Sequence, residues 1–367
     1  MILDELALTF VPELGARGVV HLTEMYDNAS EIYASTENQL VCYAELRPSI
    51  AEKIVQKAGY AEAEREMRYC NDNGITITSF QESNYPHLLR EVADRPHIIY
   101  SIGEIEALQS KHILAVVGTR RISSYGESIC AKIIPELAEM FPDLVVVSGL
   151  AFGVDAAAHR AALAAGVRTV GVIANKLPDV TPAQHRNLAK DILDHGGAII
   201  TELHSQTKQN GAFYIPRNRI IAGVAEGLLV VESPANGGSL STVKAADSYS
   251  RTVMAIPGRI TDSRSEGTNH LIKTNLAQLV TSAADIASAL GWERDGLLPE
   301  KMLFSPHKIT PKEQEVYNAL VDNSDGLTMD NIADKTAMTI AEVSAILLNL
   351  ELSGVVRQIP GRRYILC

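Results

Sequence analysis

The sequence has few of the features that mark secreted, membrane-bound or disulfide-stabilised proteins. Its four cysteines, Cys42, Cys70, Cys130 and Cys367, are widely separated and form no CxxC pair. They predict free thiols in a reducing compartment, with neither a disulfide framework nor a zinc site. Apolar runs stay below the roughly 20 residues that span a bilayer, and acids at positions 4 and 5 do not fit a signal peptide. We therefore expect a cytoplasmic protein without a membrane partner or a bound metal.

Positive charge is also scarce. There are 33 Lys and Arg against 44 Asp and Glu, a net charge of −11, whereas nucleic-acid-binding domains usually carry a basic surface. Net charge is a global sum, however, and binding depends on the local field. Any nucleic-acid site must therefore be local. With 367 residues, 46% of them hydrophobic, the chain is long enough for two or three globular domains.

Between residues 112 and 290, apolar runs alternate with helical patterns. The runs are Ile113–Val117, Leu144–Val147, Thr169–Ala174, Ala198–Thr201, Leu228–Val231 and Thr252–Ile256. Near-continuous runs are typical of strands buried on both faces of a parallel sheet, and strand–helix repetition indicates right-handed βαβ units. We predict an α/β fold with a Rossmann-like, doubly wound, mostly parallel sheet. In such sheets ligands bind at the C-terminal ends of the strands.

The flanking regions differ from this core. Residues 1–80 show short helical patterns, and residues 291–308 lack periodicity. Residues 309–367 show three helical patterns, the last from Thr339 to Leu352, and then a hairpin around Pro360-Gly361, which together indicate a winged helix. We predict a helical domain at 1–80, the core at 81–290, a linker at 291–308 and a winged-helix domain at 309–367.

The loop after the first core strand reads Gly118-Thr119-Arg120-Arg121. It is neither GxGxxG nor a Walker A loop, but glycine, a hydroxyl, two arginines and a following helix N-terminus suit an anion. A dinucleotide site would also need an acid at the end of the second strand, where this chain has Ser148-Gly149. We therefore predict no nucleotide cofactor.

Asp155 and His159 lie four residues apart in the next helical pattern. They could form half of a catalytic pair, but no nucleophile is placed beside them. We favour capping of the helix by Asp155 and packing of His159. No catalytic residue is predicted.

The segment from 208 to 223 is the most informative. Its basic and aromatic residues are Lys208, Phe213, Tyr214, Arg217 and Arg219, and it contains no acid. Arginine forks match phosphate oxygens, and either aromatic ring could stack a base. In the alternative interpretation, the aromatics are core residues and the arginines pair with Glu202 or Glu232.

Two more glycine-bearing loops follow later strands, at Gly237-Gly238-Ser239 and at Pro257-Gly258-Arg259. Several small, hydroxylated loops with arginines at one sheet edge would form a long polar groove. A small cofactor needs one or two such loops, whereas a chain of phosphates would use them all.

These motifs resemble the DprA/Smf family. The matching segments are Val117–Arg120, Ser148–Ala151, Arg217–Gly223 and Gly238–Leu240. Order and spacing agree across about 110–285. The N-terminal region resembles the SAM-like or helix-hairpin-helix domain of the family, and the tail resembles its winged helix. The chain departs from the family pattern at Ile215, where proline is usual, and at Ser250, where glycine is usual.

The resemblance implies a non-catalytic protein that binds single-stranded DNA, forms homodimers and hands DNA to the RecA recombinase during natural transformation. The implied dimer surface lies around Asn269–Ile272. The DNA site that we predict comprises Gly118, Thr119, Arg120, Lys208, Tyr214, Arg217, Asn218, Arg219, Gly238 and Ser239.

The alternative is a nucleotide-processing enzyme of the lysine-decarboxylase-like group, which hydrolyses nucleoside monophosphates on a similar core. That group carries a motif of the form PGGxGTxxE after a strand. In this chain no glutamate follows Gly237-Gly238-Ser239 in the next turn. In the tail, the third helix carries Glu342 and Glu351, and only the hairpin is basic. We therefore favour protein contact or an accessory DNA role for the tail.

Overall fold

The computed structural model describes residues 2–208, 210–293, 310–321, 323, 326–352, 355–359 and 363–366. They fall into two compact units, 1–294 and 295–367. Most of the predicted linker at 291–308 and the Pro360-Gly361 turn lie outside the described residues. The domain boundary at residue 80 stays a prediction.

The first unit is built on a nine-stranded sheet within the described residues. Its strands are β1 (Thr76–Ser79), β2 (Ile98–Gly103), β3 (Ile113–Val117), β4 (Val145–Ser148), β5 (Arg168–Val172), β6 (Ala198–Thr201), β7 (Gly227–Val230), β8 (Thr252–Ala255) and β9 (Gln278–Leu279). The spatial order is β1-β2-β6-β5-β4-β3-β7-β8-β9. Strand β2 pairs antiparallel with β1 and β6, and the other pairs are parallel. The predicted Rossmann-like, mostly parallel sheet is confirmed.

Helices cover both faces of this sheet and form the N-terminal region. They are α1 (Ile2–Thr9), α2 (Gly15–Met25), α3 (Ala29–Ala34), α4 (Glu37–Cys42), α5 (Pro48–Val55), α6 (Tyr60–Asp72), α7 (His87–Arg90), α8 (Ser124–Met140), α9 (Val154–Ala164), α10 (Arg186–Asp194), α11 (Tyr214–Gly223), α12 (Ser239–Ser248), α13 (Glu266–Lys273) and α14 (Ala283–Leu290). Short 3₁₀ turns precede α10 and α11.

Strand order reverses beside β3. Strands β4, β5 and β6 follow one another on one side of β3, whereas β7, β8 and β9 extend on the other. The topological switch point therefore lies at the C-terminal ends of the paired strands β3 and β7, where doubly wound sheets bind ligands. Helices α8, α9 and α12 directly follow β3, β4 and β7, so their N-termini all lie at this edge of the sheet.

The N-terminal helices only partly form a core of their own. Apolar residues such as Leu22 and Ile54 on α2 and α5 pack together, whereas Leu6 of α1 and Cys70 of α6 pack against the strand edge that includes Tyr100. Strand β1, in the range expected to be helical, belongs to the sheet. No strand was predicted at 76–79, because those residues gain their hydrogen bonds from β2, a non-local partner.

The second unit contains α15 (Pro311–Val321), β10 (Leu327–Thr328), α16 (Met329–Thr336), α17 (Ile340–Leu352), β11 (Val356–Ile359) and β12 (Arg363–Leu366). Strands β11 and β12 pair antiparallel, and the apolar face of α17 packs in the small core of this unit. Three helices and a hairpin confirm the winged-helix prediction.

Two further observations concern the cysteine thiols and membrane-spanning helices. Cys42, Cys70 and Cys130 are free thiols, and Cys367 lies outside the described residues. Across the part of the chain that the structure describes, no helix has both the length and the apolar character to cross a membrane.

Candidate nucleic-acid interface

A cavity of about 440 Å³ opens at the switch point between β3 and β7. Its walls come from the loops after β3, β4 and β7 and from the first turn of α11. Eight of the ten predicted site residues line it: Gly118, Thr119, Arg120, Tyr214, Arg217, Asn218, Gly238 and Ser239. Segments that are 120 residues apart in sequence thus meet because parallel strands end at one sheet edge.

The loop after β3 is held by β7 and α9. The Thr119 N–H donates to the Glu232 carbonyl oxygen (2.7 Å), and the Thr119 carbonyl accepts from Val154 N (3.1 Å). A Cβ at Gly118 would lie 2.5 Å from Val154 Cγ2, so only glycine allows this approach. The loop is therefore fixed, and it presents the exposed Arg120 side chain to the cavity.

Tyr214 lies between two arginines at the mouth of the cavity. The Arg120 guanidinium carbon is 4.8 Å from the Tyr214 ring centroid, and that of Arg217 is 5.9 Å away. Cation–π contact of this kind orients the ring and the guanidinium together. Arg120 forms no ion pair with any described residue, which leaves its charge available to a ligand.

Arg217 has a different environment. Its side chain is buried (5% exposed), and Nη1 donates to the carbonyl oxygens of Gly149, at 2.7 Å, and Val172. Its Nε donates to Asn218 Oδ1 (3.2 Å). Burial lowers the pKa of Arg217, and the charge of Asp155 opposes that shift. Arg217 therefore forms part of the cavity floor and ties β4 to β5.

We predicted that Asp155 caps α9, but the N-cap residue is Gly153. The Asp155 carboxylate points back and accepts from Ala151 N (3.3 Å). A Cβ at Gly149 would lie 2.6 Å from Asp155 Oδ2 and 2.7 Å from Arg217 Nη2, so both charged groups close over this glycine. Burial raises the pKa of Asp155 and the Arg217 charge opposes it.

His159 contacts Thr169 rather than Asp155. Its Nδ1 lies 2.7 Å from Thr169 Oγ1, and that hydroxyl donates to Val146 O (2.7 Å), so Nδ1 carries the proton. The imidazole is fully buried, and burial lowers its pKa to about 3. The ring is thus neutral at physiological pH and packs between α9 and β5.

Asn218 links α11 to the loop after β7. Its Nδ2 donates to Ser241 Oγ (2.8 Å) and lies 3.5 Å from Gly238 O. Ser239 is buried and donates to Ser233 Oγ (2.9 Å). These contacts fix the start of α12 beside the cavity, where its N-terminus attracts negative charge.

Two predicted residues do not line the cavity. Arg219 Nη2 donates to Glu202 Oε2, and Arg219 Nε lies 3.8 Å from Asp94 Oδ2, which is the ion-pairing alternative considered for it. Lys208 is exposed on the approach to α11 but is not among the lining residues. A DNA contact by either residue stays a prediction.

The sequence argument missed several residues at this edge. Arg121, Ile215 and Asn236 also line the cavity. Phe152, 44% exposed, lies next to it in a smaller hollow shared with Arg120 and Tyr214, and its ring meets that of His185 at a centroid distance of 4.9 Å. An aromatic residue in a glycine-rich strand-end loop was the available signal.

Comparison with known proteins gives consistent results. A family model described as DNA recombination-mediator protein A matches residues 76–291, and one described as the DprA winged helix domain matches residues 304–362. Protein Smf of Escherichia coli is 36% identical over 286 residues, covering 76% of this chain and 74% of that protein. DNA processing protein DprA of Streptococcus pneumoniae is 38% identical over 209 residues, covering 57% and 72%.

Solved structures agree with these sequence matches. The X-ray structure of DprA from Streptococcus pneumoniae matches with a TM-score of 0.66 at 30% identity, over 77% of this chain and 95% of that one. A structure of DprA from Helicobacter pylori, described for its unique single-stranded DNA binding mode, shares the fold with a TM-score of 0.53 at 24% identity, over 59% and 95%. The chain therefore belongs to the DNA recombination-mediator protein A family, the DprA/Smf family of DNA processing proteins.

Proposed function

We propose that this chain binds single-stranded DNA in the cavity between β3 and β7. The observation that carries the proposal is the Tyr214 ring held at 4.8 Å under the unpaired Arg120 guanidinium, beside the loop of Gly118 and Thr119. An aromatic platform with adjacent cations binds bases by stacking and phosphates by charge, without reading sequence. The single-stranded DNA binding described for the Helicobacter pylori relative supports the same assignment.

Within this proposal the residues have separate tasks. Arg120 binds a backbone phosphate, and Thr119 Oγ1, which accepts from Arg121 N (3.2 Å), donates its hydroxyl proton to the same group. The Tyr214 ring stacks a base. Arg217 and Asn218 hold the ring and the Gly238 loop in place.

We further propose that the bound strand is handed to RecA, and that the protein acts as a cytoplasmic homodimer in natural transformation. Membership of the recombination-mediator family supports this role. Binding without catalysis is also part of the proposal: Asp155 is the one acid among the described residues that line the cavity, and its carboxylate is turned toward Ala151 N. Release of free base from nucleoside monophosphates would contradict this part.

The test compares two arginines of the predicted site, Arg120 in the loop after β3 and Arg219 on α11. Fluorescence anisotropy with labelled oligothymidylate gives affinity at several salt concentrations for wild type, Arg120→Ala and Arg219→Ala. If Arg120 binds phosphate, its loss should weaken binding about tenfold and lower the salt slope by about 0.7. Arg219→Ala removes the same charge from a residue paired with Glu202. It should leave the slope unchanged if that ion pair keeps Arg219 from the DNA, and should lower the slope if the predicted contact is made. Equal slopes for all three proteins would refute the proposed site.

A further inference from the structure

A second cavity, of about 620 Å³, lies at the same sheet edge and is not explained by the site above. It is bounded by the first turn of α8 and by the loop after β8. The lining residues are Ser123, Ser124, Tyr125, Pro257, Gly258, Arg259, Asp262, Arg264 and Ser265. We propose that it is a second phosphate-binding subsite, which holds the backbone of a single strand that leaves the first cavity; this proposal rests on the proposed function.

The walls of this second cavity are fixed by hydrogen bonds. The Tyr125 hydroxyl donates to the Pro257 carbonyl oxygen (2.8 Å), which joins α8 to the loop after β8. Asn269 clamps Gly258 on both sides, because Gly258 N donates to Asn269 Oδ1 (3.1 Å) and Asn269 Nδ2 donates to Gly258 O (3.0 Å). The cavity is therefore built into the fold.

The groups that face it suit an anion. Arg259 and Arg264 are exposed, and their guanidinium groups pair with no acid within the described residues. The N-terminus of helix α8 also lies here, but it already holds an acid: the buried Glu232 carboxylate accepts from Ser123 N (2.9 Å), and Ser123 Oγ caps Gly126 N (3.2 Å). The two arginines are therefore the main donors for a ligand. Arginine forks and backbone N–H groups are the donors that phosphate oxygens accept from.

An independent observation comes from Ser265. Its side chain lines the cavity although the residue is only 2% exposed, and its hydroxyl has no hydrogen-bond partner among the described residues. A Cβ at Gly258 would lie 1.9 Å from Ser265 Oγ, so glycine is required to leave the hydroxyl in this position. Because this hydroxyl opens into the cavity, it can donate to a phosphate oxygen bound there.

Two acids oppose an anion here, Glu232 behind Ser123 and Asp262 in the cavity wall. Asp262 lines the cavity, and its Oδ1 accepts from Arg264 N (3.0 Å). This contact shapes the turn, but the carboxylate charge repels phosphate. Asp262→Asn keeps an acceptor at Oδ1 and removes the charge, so it should strengthen phosphate binding.

The two cavities flank one loop. Arg121 lines the first cavity and Ser123 lines the second, and two residues span at most about 7.2 Å. Strand β8 lies beside β7, so the loops after β3, β7 and β8 are neighbours. A strand bound to Arg120 can therefore pass directly over the loop into the second cavity.

The experiment varies the length of the DNA. Labelled oligothymidylates of about 4 and about 16 nucleotides, the limits of typical site sizes, are titrated onto the full chain by anisotropy. Arg259→Ala/Arg264→Ala should bind the short oligonucleotide like wild type. It should bind the long one about tenfold or more weakly, with a salt slope lowered by about 1.4 for two lost phosphate contacts. Asp262→Asn should bind the long one more tightly.

Arg68→Ala/Arg160→Ala is the matched control, since it removes two other exposed arginines and should leave both affinities unchanged. An equal loss for short and long DNA, or no loss for either, would overturn the second subsite while leaving the first cavity as the DNA site. Failure of wild type to bind either length would refute the proposed function itself. Calorimetry with inorganic phosphate distinguishes a DNA phosphate from a free anion. If phosphate binding requires Arg259 and Arg264 but binding of long DNA does not, the second cavity is a site for a free anion.

Discussion

Replacing Arg217 by alanine tests whether this residue supports the cavity from below or binds a phosphate itself. The side chain is 5% exposed and donates to strand-end carbonyls of β4 and β5. Its removal leaves the buried Asp155 carboxylate without the nearby cation that opposes its raised pKa. Removing one partner of a buried charged pair costs about 3–5 kcal/mol. We expect a loss of stability in that range at neutral pH for the 1–294 unit.

The pH dependence follows from Asp155. Burial raises the pKa of this carboxyl in the folded protein, and loss of Arg217 raises it further. Ionisation then destabilises the variant more than wild type, so the difference between the two should shrink as pH falls through the folded pKa toward the ordinary value for aspartate. Arg217→Ala/Asp155→Asn should recover part of the lost stability.

Urea unfolding measures these differences. Trp292 is the single tryptophan, and it packs against Phe141 in the 1–294 unit (ring centroids 5.2 Å apart), so its fluorescence reports the unfolding of that unit. The midpoint should fall at an unchanged m value. Arg217→Lys keeps the charge but lacks the fork that reaches both carbonyls, and should also be destabilised. If Arg217→Ala keeps wild-type stability and lowers the DNA salt slope by about 0.7, Arg217 is a phosphate ligand and our assignment is wrong.

The remaining predictions concern stacking, a buried histidine and a strained turn. Tyr214→Ala should weaken binding of oligothymidylate by about 1–3 kcal/mol, whereas Tyr214→Phe should bind like wild type; equal losses in anisotropy titrations would exclude stacking. Burial lowers the pKa of His159 to about 3 from 6.5. Its contribution to the free energy of unfolding is therefore fully present above pH 6.5 and is lost as pH drops toward 3, by up to about 1.4 kcal/mol per pH unit. His159→Gln should show a shallower fall in urea midpoints below pH 6.5, and an unchanged slope would contradict the assignment. Ser250 has φ 56°, a left-handed conformation that favours glycine, so Ser250→Gly should raise the stability of the 1–294 unit by up to about 1 kcal/mol; a lower melting temperature would contradict this strain.

The backbone conformation of Ser250 explains one departure of this chain from the family pattern that it resembles. The family pattern has glycine at this position, and the structure gives a physical reason in the positive φ. Gly118 and Gly149 show a second reason for glycine, because a Cβ at either position would meet atoms closer than 3 Å. The sequence marks such residues, but only the packed structure distinguishes a backbone need from a packing need.

Much of the fold and part of the site follow from local sequence. Near-continuous apolar runs predicted β3 to β8, because strands buried on both faces need apolar side chains at every position. The glycine- and arginine-bearing loops marked the sheet edge where the cavity lies. Strand β1 was missed because its hydrogen bonds come from β2, 19 to 25 residues away along the chain.

Only the tertiary structure distinguishes the environments of the three arginines. Arg217 and Arg219 are two residues apart on α11, which turns their side chains about 200° from each other, so both cannot face one cavity. Arg217 points to the strand ends and Arg219 to Glu202, while Arg120 is exposed and forms no ion pair with a residue that the structure describes. The sequence by itself determined which loops carry charge; burial and strand order determined which of those charges a ligand can reach.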